Sequence, residues 1–500
     1  MKRIAAAAVL AAVLGLASPA GMAMYLNRNG LGQALVYPYY TVNGGYTTFF
    51  TIVNATSDLK AVKVRLLEGY NGRDVQDFNL YLSPRDYWVG AVVDSGSGGA
   101  AIFTNDNSCT VPKLPTTAAT ALPLTTANFD GTGAQGKDGG PVGVARTREG
   151  HIEVIEMGTV IGPGHTFIAI TQRKDGIPTD CPHVVNAWAD GGQWIVDSTR
   201  DIGPPSGGLF GNAMILDAAN GTVFSYAADA IAQFYAKDGR GEHSRPDALT
   251  PNLSSATSST AEVHTDRGLL SLTYARPIDA VSALFMADTI ENEFWTSAGI
   301  GAASEWVVTQ PTKRFYVDPG YTGSRQPFAE AFNARGDGTS QTVISAVFSN
   351  REGLRAGVYL NCSSPCQDVG RATLAYDTQV ITFNQNPLAG RSVYAASPPS
   401  QVLASNLVPT NIYTRGRFPW VGDFEANNGW AELSLRAGWP QPQLSPSTDG
   451  RMLNGLPVTG FWINRLVNGN VGGALANYTA VYPHRLHVSC ETAPYTPCPQ

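Results

Sequence analysis

Alternating apolar and polar positions recur along this chain and favour many short strands over helices. The clearest example lies near residue 60, where Val62, Val64 and Leu66 alternate with Lys63 and Arg65. A period of two residues turns one side of a strand towards a core and the other towards solvent, which is typical of antiparallel sheets packed as a sandwich. The strands that this pattern predicts in the N-terminal part are 33–42, 46–53, 61–67 and 75–82.

Residues 94–147 have a different character, because Gly and Ser clusters are followed by a stretch rich in Thr, Ala and Pro. Such a composition is typical of a long surface excursion. Apolar order returns at 151–161 and 166–172. Helical spacing is limited to two candidates, 225–237 and 279–294, so we expect only a few short helices between the strands.

An apolar hairpin pattern occurs twice in the chain. Segments 268–285 and 429–463 both have the pattern of strand, turn, proline and strand. Proline is tolerated at the first residue of a strand, where no ladder hydrogen bond has to be donated. The repetition predicts a mainly β chain of two tandem antiparallel β-sandwich units with long loop insertions, at 24–310 and 311–500. Two unrelated apolar hairpins would produce the same likeness.

The first 23 residues have the pattern of a secretory signal peptide. Lys2 and Arg3 precede an apolar run of 13 residues, and small residues follow up to Ala23. The run is shorter than the roughly 20 residues that a membrane-spanning helix needs. We therefore expect 1–23 to be removed on export from a bacterial cell, and no later apolar run reaches spanning length.

The exported chain is expected to be acidic. Without Lys2 and Arg3, 32 basic residues stand against 40 acidic ones, a formal charge of −8 (32 − 40). Nucleic-acid binding depends on a basic surface that neutralises phosphates, so nucleic acid is not an expected partner. The sequence does not identify a partner; the candidates are an envelope glycan and another surface protein, met in the periplasm, at the cell surface or outside the cell.

The six cysteines predict disulfides, because an even number in an exported chain is typical of paired cystines. Two pairs are close enough in sequence to bridge locally, and the other two cysteines would then form a third bridge. A zinc site is the competing interpretation, but no Cys-x-x-Cys spacing occurs. The predicted pairs are Cys362 with Cys366, Cys490 with Cys498, and Cys109 with Cys181.

The stretch 33–93 resembles the immunoglobulin-like modules of bacterial exported and cell-surface proteins. The resemblance rests on Phe-Phe-Thr-Ile-Val-Asn-Ala-Thr at 49–56, on the Val-rich segment 62–67 and on Leu-Tyr-Leu-Ser-Pro at 80–84. In those modules a strand that ends in an Asn-rich turn is followed by a Val-rich strand and a Leu-x-Pro corner. The resemblance implies a β-sandwich fold and an exported location but no reaction, because function resides in sites carried by a fold.

Glu153 and Glu156 are the nearest approach to a paired-carboxylate site. A glycosidase needs two carboxyl groups about 5 to 9 Å apart that face one sugar. Residues three apart on a regular strand point to opposite faces, so these two could converge only across a bulge. Ordinary charges at the edge of a strand are the alternative interpretation.

The sequence predicts neither a metal site nor a cofactor. The seven histidines are scattered, and no His-Glu-x-x-His, Gly-x-Ser-x-Gly or phosphate-binding loop motif occurs. The acidic turns at 105–107 and 335–337 do not fit the twelve-residue calcium loop with its closing Glu. Solvated turns explain them, because Asn and Asp are common turn residues.

The C-terminal half carries a group of tryptophans that is a candidate binding surface. Trp420, Trp430, Trp439 and Trp462 lie within 43 residues of one another. Aromatic faces can serve as platforms for sugar rings, and Trp also fills the space between packed sheets. Both interpretations remain open.

Together these features predict an exported bacterial envelope protein that acts as a structural or binding β-sandwich module without catalytic activity. Two other functions remain as alternatives. One is a secreted carbohydrate-active hydrolase that uses Glu153 or Glu156 as its acid. The other is a lectin-like glycan binder that uses Trp420 and Trp430 without chemistry.

Overall fold

Antiparallel sheets make up most of the protein, and short helices occupy the connections between them. The computed structural model describes residues 23–236, 239–321, 323, 325–358, 372–384, 400–407, 410–418, 422–493 and 496–499. The prediction of a mainly β chain is confirmed. Nearly all of the predicted signal peptide lies outside the described residues.

The first pair of sheets is formed by strands between residues 25 and 232. In chain order they are β1 Tyr25–Leu26, β2 Ala34–Thr41, β3 Thr47–Asn54, β4 Leu59–Glu68, β5 Asp74–Leu82, β6 Tyr87–Asp94, β7 Ala100–Phe103, β8 Cys109–Val111, β9 Leu122–Pro123, β10 Glu149–Val160, β11 Ile202–Gly203, β12 Leu209–Phe210, β13 Asn212–Asp217, β14 Thr222–Ala227 and β15 Asp229–Ala232. One sheet has the order β1-β15-β2-β10-β4-β5-β8, with β11 paired to β10. The other has the order β14-β13-β3-β6-β7-β9, with β12 paired to β3.

An apolar core lies between these two sheets. Leu35 and Val64 reach it from one sheet, and Phe50 and Trp88 reach it from the other with ring centroids 5.3 Å apart. Burial of such a continuous apolar face stabilises the pair at about 25 cal/mol for each Å² removed from water. Strands β2 to β5 begin and end within two residues of their predicted ranges, so the alternating pattern located them correctly.

Strand β4 has no solvent-exposed face, and the expectation drawn from its alternating charges is wrong. Lys63 and Arg65 are fully buried, because the chain that follows β15 covers this side of the sheet. Lys63 donates a hydrogen bond to the carbonyl of Arg245 at 2.6 Å, and Arg65 donates to that of Pro251 at 2.9 Å. Backbone carbonyls therefore replace the water that these cations lose.

The segment 94–147 is more ordered than the predicted surface excursion. Strands β7 and β9 extend one sheet, and β8 extends the other. Cys109 in β8 is buried and is bonded to Cys181. The segment thus completes both sheets of the first pair.

The helices of the described chain are short, and none has the length and apolar character that crossing a bilayer requires. They are α1 Ala127–Asp130, α2 His165–Ile170, α3 Cys181–Ala187, α4 Gln193–Val196, α5 Pro277–Phe285 and α6 Arg314–Val317. Strands β14 and β15 occupy most of 225–237, where the apolar spacing favoured a helix.

The predicted hairpin repeat is also wrong, because Pro277–Phe285 forms a helix rather than a strand. Proline is favoured in the first turn of a helix, where its missing N–H costs nothing. The helical spacing at 279–294 is therefore confirmed for 279–285, whereas 289–294 belong to a strand. The helix is buried almost all round, so no polar face distinguishes it from a buried strand in the sequence. Only the preceding strands form a hairpin, β16 Thr260–Thr265 with β17 Gly268–Thr273.

The second pair of sheets is formed by strands that begin at residue 289. The remaining strands are β18 Met286–Ala287, β19 Thr289–Trp295, β20 Ala302–Thr309, β21 Thr342–Asn350, β22 Arg355–Val358, β23 Ala372–Leu374, β24 Thr378–Asn384, β25 Thr410–Tyr413, β26 Arg415–Phe418, β27 Gly422–Glu425, β28 Asn428–Ser434, β29 Met452–Leu453, β30 Leu456–Pro457, β31 Thr459–Val471, β32 Ala474–Pro483, β33 Arg485–His487, β34 Cys490–Ala493 and β35 Thr496–Pro497. One large sheet has the order β22-β21-β28-β19-β33, with β23 paired to β21, and the other has the order β25-β24-β20-β31-β32.

The change from the first pair of sheets to the second lies between residues 232 and 289. Strands β19 and β20 pair with strands of the second half, although both precede position 310, where the sequence pattern placed the boundary. The intervening hairpin β16–β17 and helix α5 pack into the core of the second pair.

The two pairs of sheets share an apolar interface. Phe461 and Ile463 on the outer face of β31 pack with Tyr39, Ile215 and Phe224 of the first pair. The opposite face of β31 is turned towards β19 in the other sheet of its own pair. A groove opens at that inner face.

Candidate functional site

The two glutamates considered as a catalytic pair are not brought together by the fold. Glu153 and Glu156 both lie on β10 and are fully buried. The pairing of β10 with β4 is regular from Glu153 to Glu156, so their side chains leave opposite faces of the sheet.

Each of these glutamates has a basic partner inside the protein. Arg314 donates to both carboxylate oxygens of Glu153, at 3.2 and 3.3 Å, and Lys60 donates to Glu156 at 2.6 Å. Burial raises the pKa of Glu153, but attraction to Arg314 and Arg65 outweighs it and holds the pKa below its usual value. Burial of Glu156 outweighs the attraction of Lys60 and raises the pKa of that carboxyl. Both residues serve as partners in buried ion pairs.

The four candidate tryptophans do not form one surface. Trp420 lies outside the described residues. Trp430 of β28 is 41 % exposed and lies directly opposite Glu293 of β19, and Trp439 is 93 % exposed. Trp462 is only 3 % exposed and lines a cavity.

That cavity, which we call the aromatic groove, has a volume of about 500 Å³. Its walls come from β19, from the hairpin β31–β32 and from the residues that follow the hairpin. A concave site of this size with mixed aromatic and polar walls is typical of a small-molecule or oligomer binding site. The lining residues are Asn292, Glu293, Trp295, Trp462, Asn464, Leu466, Tyr478, Thr479, Ala480, Tyr482, Pro483, His484 and Arg485.

A stack of aromatic rings forms one end of the aromatic groove. Trp462 and Tyr482 are direct partners across β31 and β32, and their rings stack with centroids 5.2 Å apart and planes 22° apart. Trp295 of β19 meets Trp462 edge-on at 6.1 Å. The buried indole is thereby fixed from one side and supports the ring of Tyr482, which is 51 % exposed.

The indole N–H of Trp462 has no hydrogen-bond acceptor within the described part of the chain. Buried donors in native proteins are nearly always paired. The wall of the aromatic groove therefore contains a donor that the described residues do not satisfy.

His484 fixes the polar end of the aromatic groove at the point where the chain passes from one sheet to the other. Its Nε2–H donates to the carbonyl of Val307 at 2.9 Å, and its Nδ1 accepts from the amide of Asn292 at 3.2 Å. Burial lowers the pKa of His484 to about 4, although the Val307 carbonyl acts in the opposite direction. The imidazole is therefore neutral near pH 7 and holds Asn292 in place.

Sequence reasoning missed the tyrosines of this site. Tyr478 and Tyr482 are four residues apart in a strand, so an alternating pattern alone places both on one face. Trp295 lies far from them in sequence and joins the site only through the packing of β19 on β31. The spacing of the two tyrosines is therefore the local signal for this site, whereas the spacing of the tryptophans is not.

Two of the predicted disulfides are confirmed. Cys109 is bonded to Cys181, and Cys490 to Cys498, each with Cα atoms 5.3 Å apart. The predicted pair of Cys362 and Cys366 lies outside the described residues. Disulfides of this kind are typical of an oxidising, exported environment.

Comparison of the chain with protein-family models, with curated proteins and with solved structures finds no match.

Proposed function

We propose that this protein is an exported envelope protein of bacteria that binds carbohydrate through the aromatic groove and carries out no reaction there. Its two pairs of sheets are then tandem β-sandwich units of the immunoglobulin-like kind, with the binding site confined to the second unit. The leader pattern and the two disulfides support export.

The observation that carries the proposal is the exposed ring of Tyr482 supported by the buried ring of Trp462. The C–H groups on one face of a sugar ring are apolar and pack flat against an aromatic face. A ring that is already held in one orientation loses little conformational entropy when a ligand packs on it.

The polar residues of the aromatic groove suit the hydroxyl groups of a sugar. Glu293 offers acceptors and Arg485 offers donors at the wall of the groove, and the buried amides of Asn292 and Asn464 lie behind them. Asn464 already accepts a hydrogen bond from Ser304 at its Oδ1, which fixes the orientation of its amide. A few placed polar groups on a largely aromatic surface give a ligand its orientation.

Affinity electrophoresis tests the proposal. The full chain is run through native gels that contain hydroxyethyl cellulose, xyloglucan or glycol chitin, and we expect at least one of these glycans to retard it. Tyr482→Ala removes the platform and should abolish the retardation. Tyr87→Ala is the matched control, because Tyr87 is 53 % exposed but lies on β6 of the first pair of sheets.

Equal melting temperatures of the two variants and the wild type establish that folding is unchanged. Retardation of the control together with loss in Tyr482→Ala supports the proposal. Absence of retardation by every glycan contradicts carbohydrate binding, and equal retardation of Tyr482→Ala and the wild type contradicts the site.

A further inference from the structure

A second exposed tyrosine stands in line with Tyr482 along β32. Tyr478 is 59 % exposed, lines the same groove and lies four residues before Tyr482 in the strand. At the rise of an antiparallel strand, four residues span roughly 14 Å. Ala480, which lies between them on the same face, is small enough to leave a depression between the two rings.

The neighbouring strand completes a continuous floor. Opposite Tyr482, Ala480 and Tyr478 stand Trp462, Asn464 and Leu466 of β31, in that order. Along the strand direction the floor therefore presents Tyr482 beside Trp462, then Ala480 beside Asn464, and then Tyr478 beside Leu466. We call the positions of Tyr482 and Tyr478 the two aromatic steps and the position of Asn464 the polar step.

The far end of this floor is held by the first pair of sheets. Asn477 donates to the carbonyl of Asn220 at 2.9 Å, and the hydroxyl of Thr479 donates to the carbonyl of Val223. These hydrogen bonds flank Tyr478 in the sequence, so its segment of β32 is fixed although β32 is the edge strand of its sheet. Both aromatic steps are therefore built on a rigid support.

From this geometry we infer that the aromatic groove binds an uncharged, extended β-1,4-linked polysaccharide chain along β32 rather than a single sugar. The inference rests on the proposed carbohydrate-binding function. The two tyrosines are further apart than the width of one sugar ring, so a ligand that packs on both must contain several linked rings. A β-1,4 linkage between equatorial positions keeps successive rings flat and in line, whereas α-1,4-linked chains coil away from a straight row.

Charge in the aromatic groove favours a neutral chain. Glu293 and Arg485 are the charged residues among those that line it, and their formal charges cancel. His484 is neutral near pH 7, as its lowered pKa indicates. A polyanion would meet Glu293 without an excess of basic groups to offset the repulsion.

Titration calorimetry with defined oligosaccharides tests the inference. Cello-oligosaccharides and chito-oligosaccharides of increasing length are titrated into the full chain, with malto-oligosaccharides and oligogalacturonate as the α-linked and the anionic probes. We expect affinity in the cello or chito series to rise with length until the chain reaches both tyrosines and then to stay constant.

Tyr478→Ala tests the contribution of Tyr478 to binding separately from that of Tyr482. We expect it to weaken binding of the hexasaccharide about tenfold, the size of one aromatic contact, and to leave binding of the disaccharide unchanged. Tyr87→Ala should match the wild type with every probe.

The outcomes separate this inference from the proposed function. If no oligosaccharide binds, or if Tyr482→Ala binds like the wild type, the proposed function fails. If binding depends on Tyr482 but is independent of length and of Tyr478, only the inference of an extended chain is overturned. Equal or tighter binding of the malto series or of oligogalacturonate overturns the assignment of a neutral β-1,4 chain.

Discussion

Arg314 and Glu153 join the two halves of the protein through an ion pair that is shielded from water. Arg314 belongs to α6, in the second half of the chain, and Glu153 to the central strand β10 of the first pair of sheets. Arg65 lies 3.8 Å from the same carboxylate, and Arg73 lies 2.8 Å from Asp318 just beyond α6. Charges thus hold one part of the contact between the halves, and the apolar interface around Phe461 holds another.

Removing the charge of Glu153 should destabilise the protein strongly. Glu153→Gln removes one of the two buried carboxylates, Glu153 and Asp74, that Arg314 and Arg65 share, and breaking a buried pair costs about 3 to 5 kcal/mol. Denaturant unfolding should show a loss of this size. The control is Glu432→Gln, which breaks the exposed pair with Arg355 and should cost less than about 1 kcal/mol. Equal losses in the two variants would contradict the structural role of Glu153.

The lowered pKa of His484 predicts a pH-dependent stability. The pKa is about 4 in the folded protein and 6.5 in an unfolded chain, so the unfolded chain binds the proton more readily. This histidine therefore favours folding above pH 6.5, and its contribution is lost as the pH falls towards 4. The change is at most about 1.4 kcal/mol for each pH unit.

Comparison with His484→Gln isolates this effect from other groups. Asp229, whose pKa burial raises to about 6, favours the folded state as the pH falls and so acts in the opposite direction. Denaturant unfolding of the wild type and the variant is measured between pH 4 and pH 7.5. The stability advantage of the wild type should shrink towards pH 4, and a constant difference across this range would contradict a buried, neutral His484.

The two described disulfides should differ in their contribution to stability. Their sequence separations are 72 residues for Cys109 with Cys181 and 8 residues for Cys490 with Cys498. Loop-closure entropy predicts losses of about 4 and about 2.5 kcal/mol when each pair is replaced by serine. The unfolding free energies of the two double variants provide the test. A larger loss from the C-terminal pair would contradict this ranking.

Trp430 and Trp439 should not contribute to glycan binding, because neither lines the aromatic groove. Trp430→Ala and Trp439→Ala should be retarded in glycan gels as strongly as the wild type. Trp439→Ala is the sharper test, because a side chain that is 93 % exposed contributes little to folding. Loss of retardation in Trp439→Ala would place the binding surface outside the aromatic groove.

The early strands could be predicted because their alternation is a local property of the chain. The same alternation could not show that Lys63 and Arg65 are buried, since the segment that covers them begins about 180 residues later. The helix Pro277–Phe285 lies in a segment that fitted both a hairpin pattern and the helical spacing of 279–294, and burial on all sides leaves no polar face that would decide between the two. Whether a strand face is covered by another segment, and whether a helix is buried on all sides, depends on tertiary packing, which a local sequence pattern does not show.

The aromatic groove was only partly predictable. Trp462 was identified as a candidate from its residue type, but its role is to support Tyr482, and that depends on the register of β31 with β32. A shift of one residue in that register would turn Tyr482 to the opposite face. Glu153 and Glu156 were expected to point to opposite faces of a regular strand, and they do. Their buried basic partners, Arg314 and Lys60, are distant in sequence, so no local motif identifies them.

An NMR titration of the full chain, with tyrosine rings selectively labelled with ¹³C, detects directly whether a glycan chain contacts both tyrosines of the aromatic groove. Cellohexaose and chitohexaose are the ligands, and single Tyr→Phe variants assign the signals of Tyr478, Tyr482 and Tyr87. We expect one of these ligands to shift the ring signals of both Tyr478 and Tyr482 and to leave that of Tyr87 in place. Saturating ligand that leaves Tyr478 and Tyr482 unshifted would contradict it.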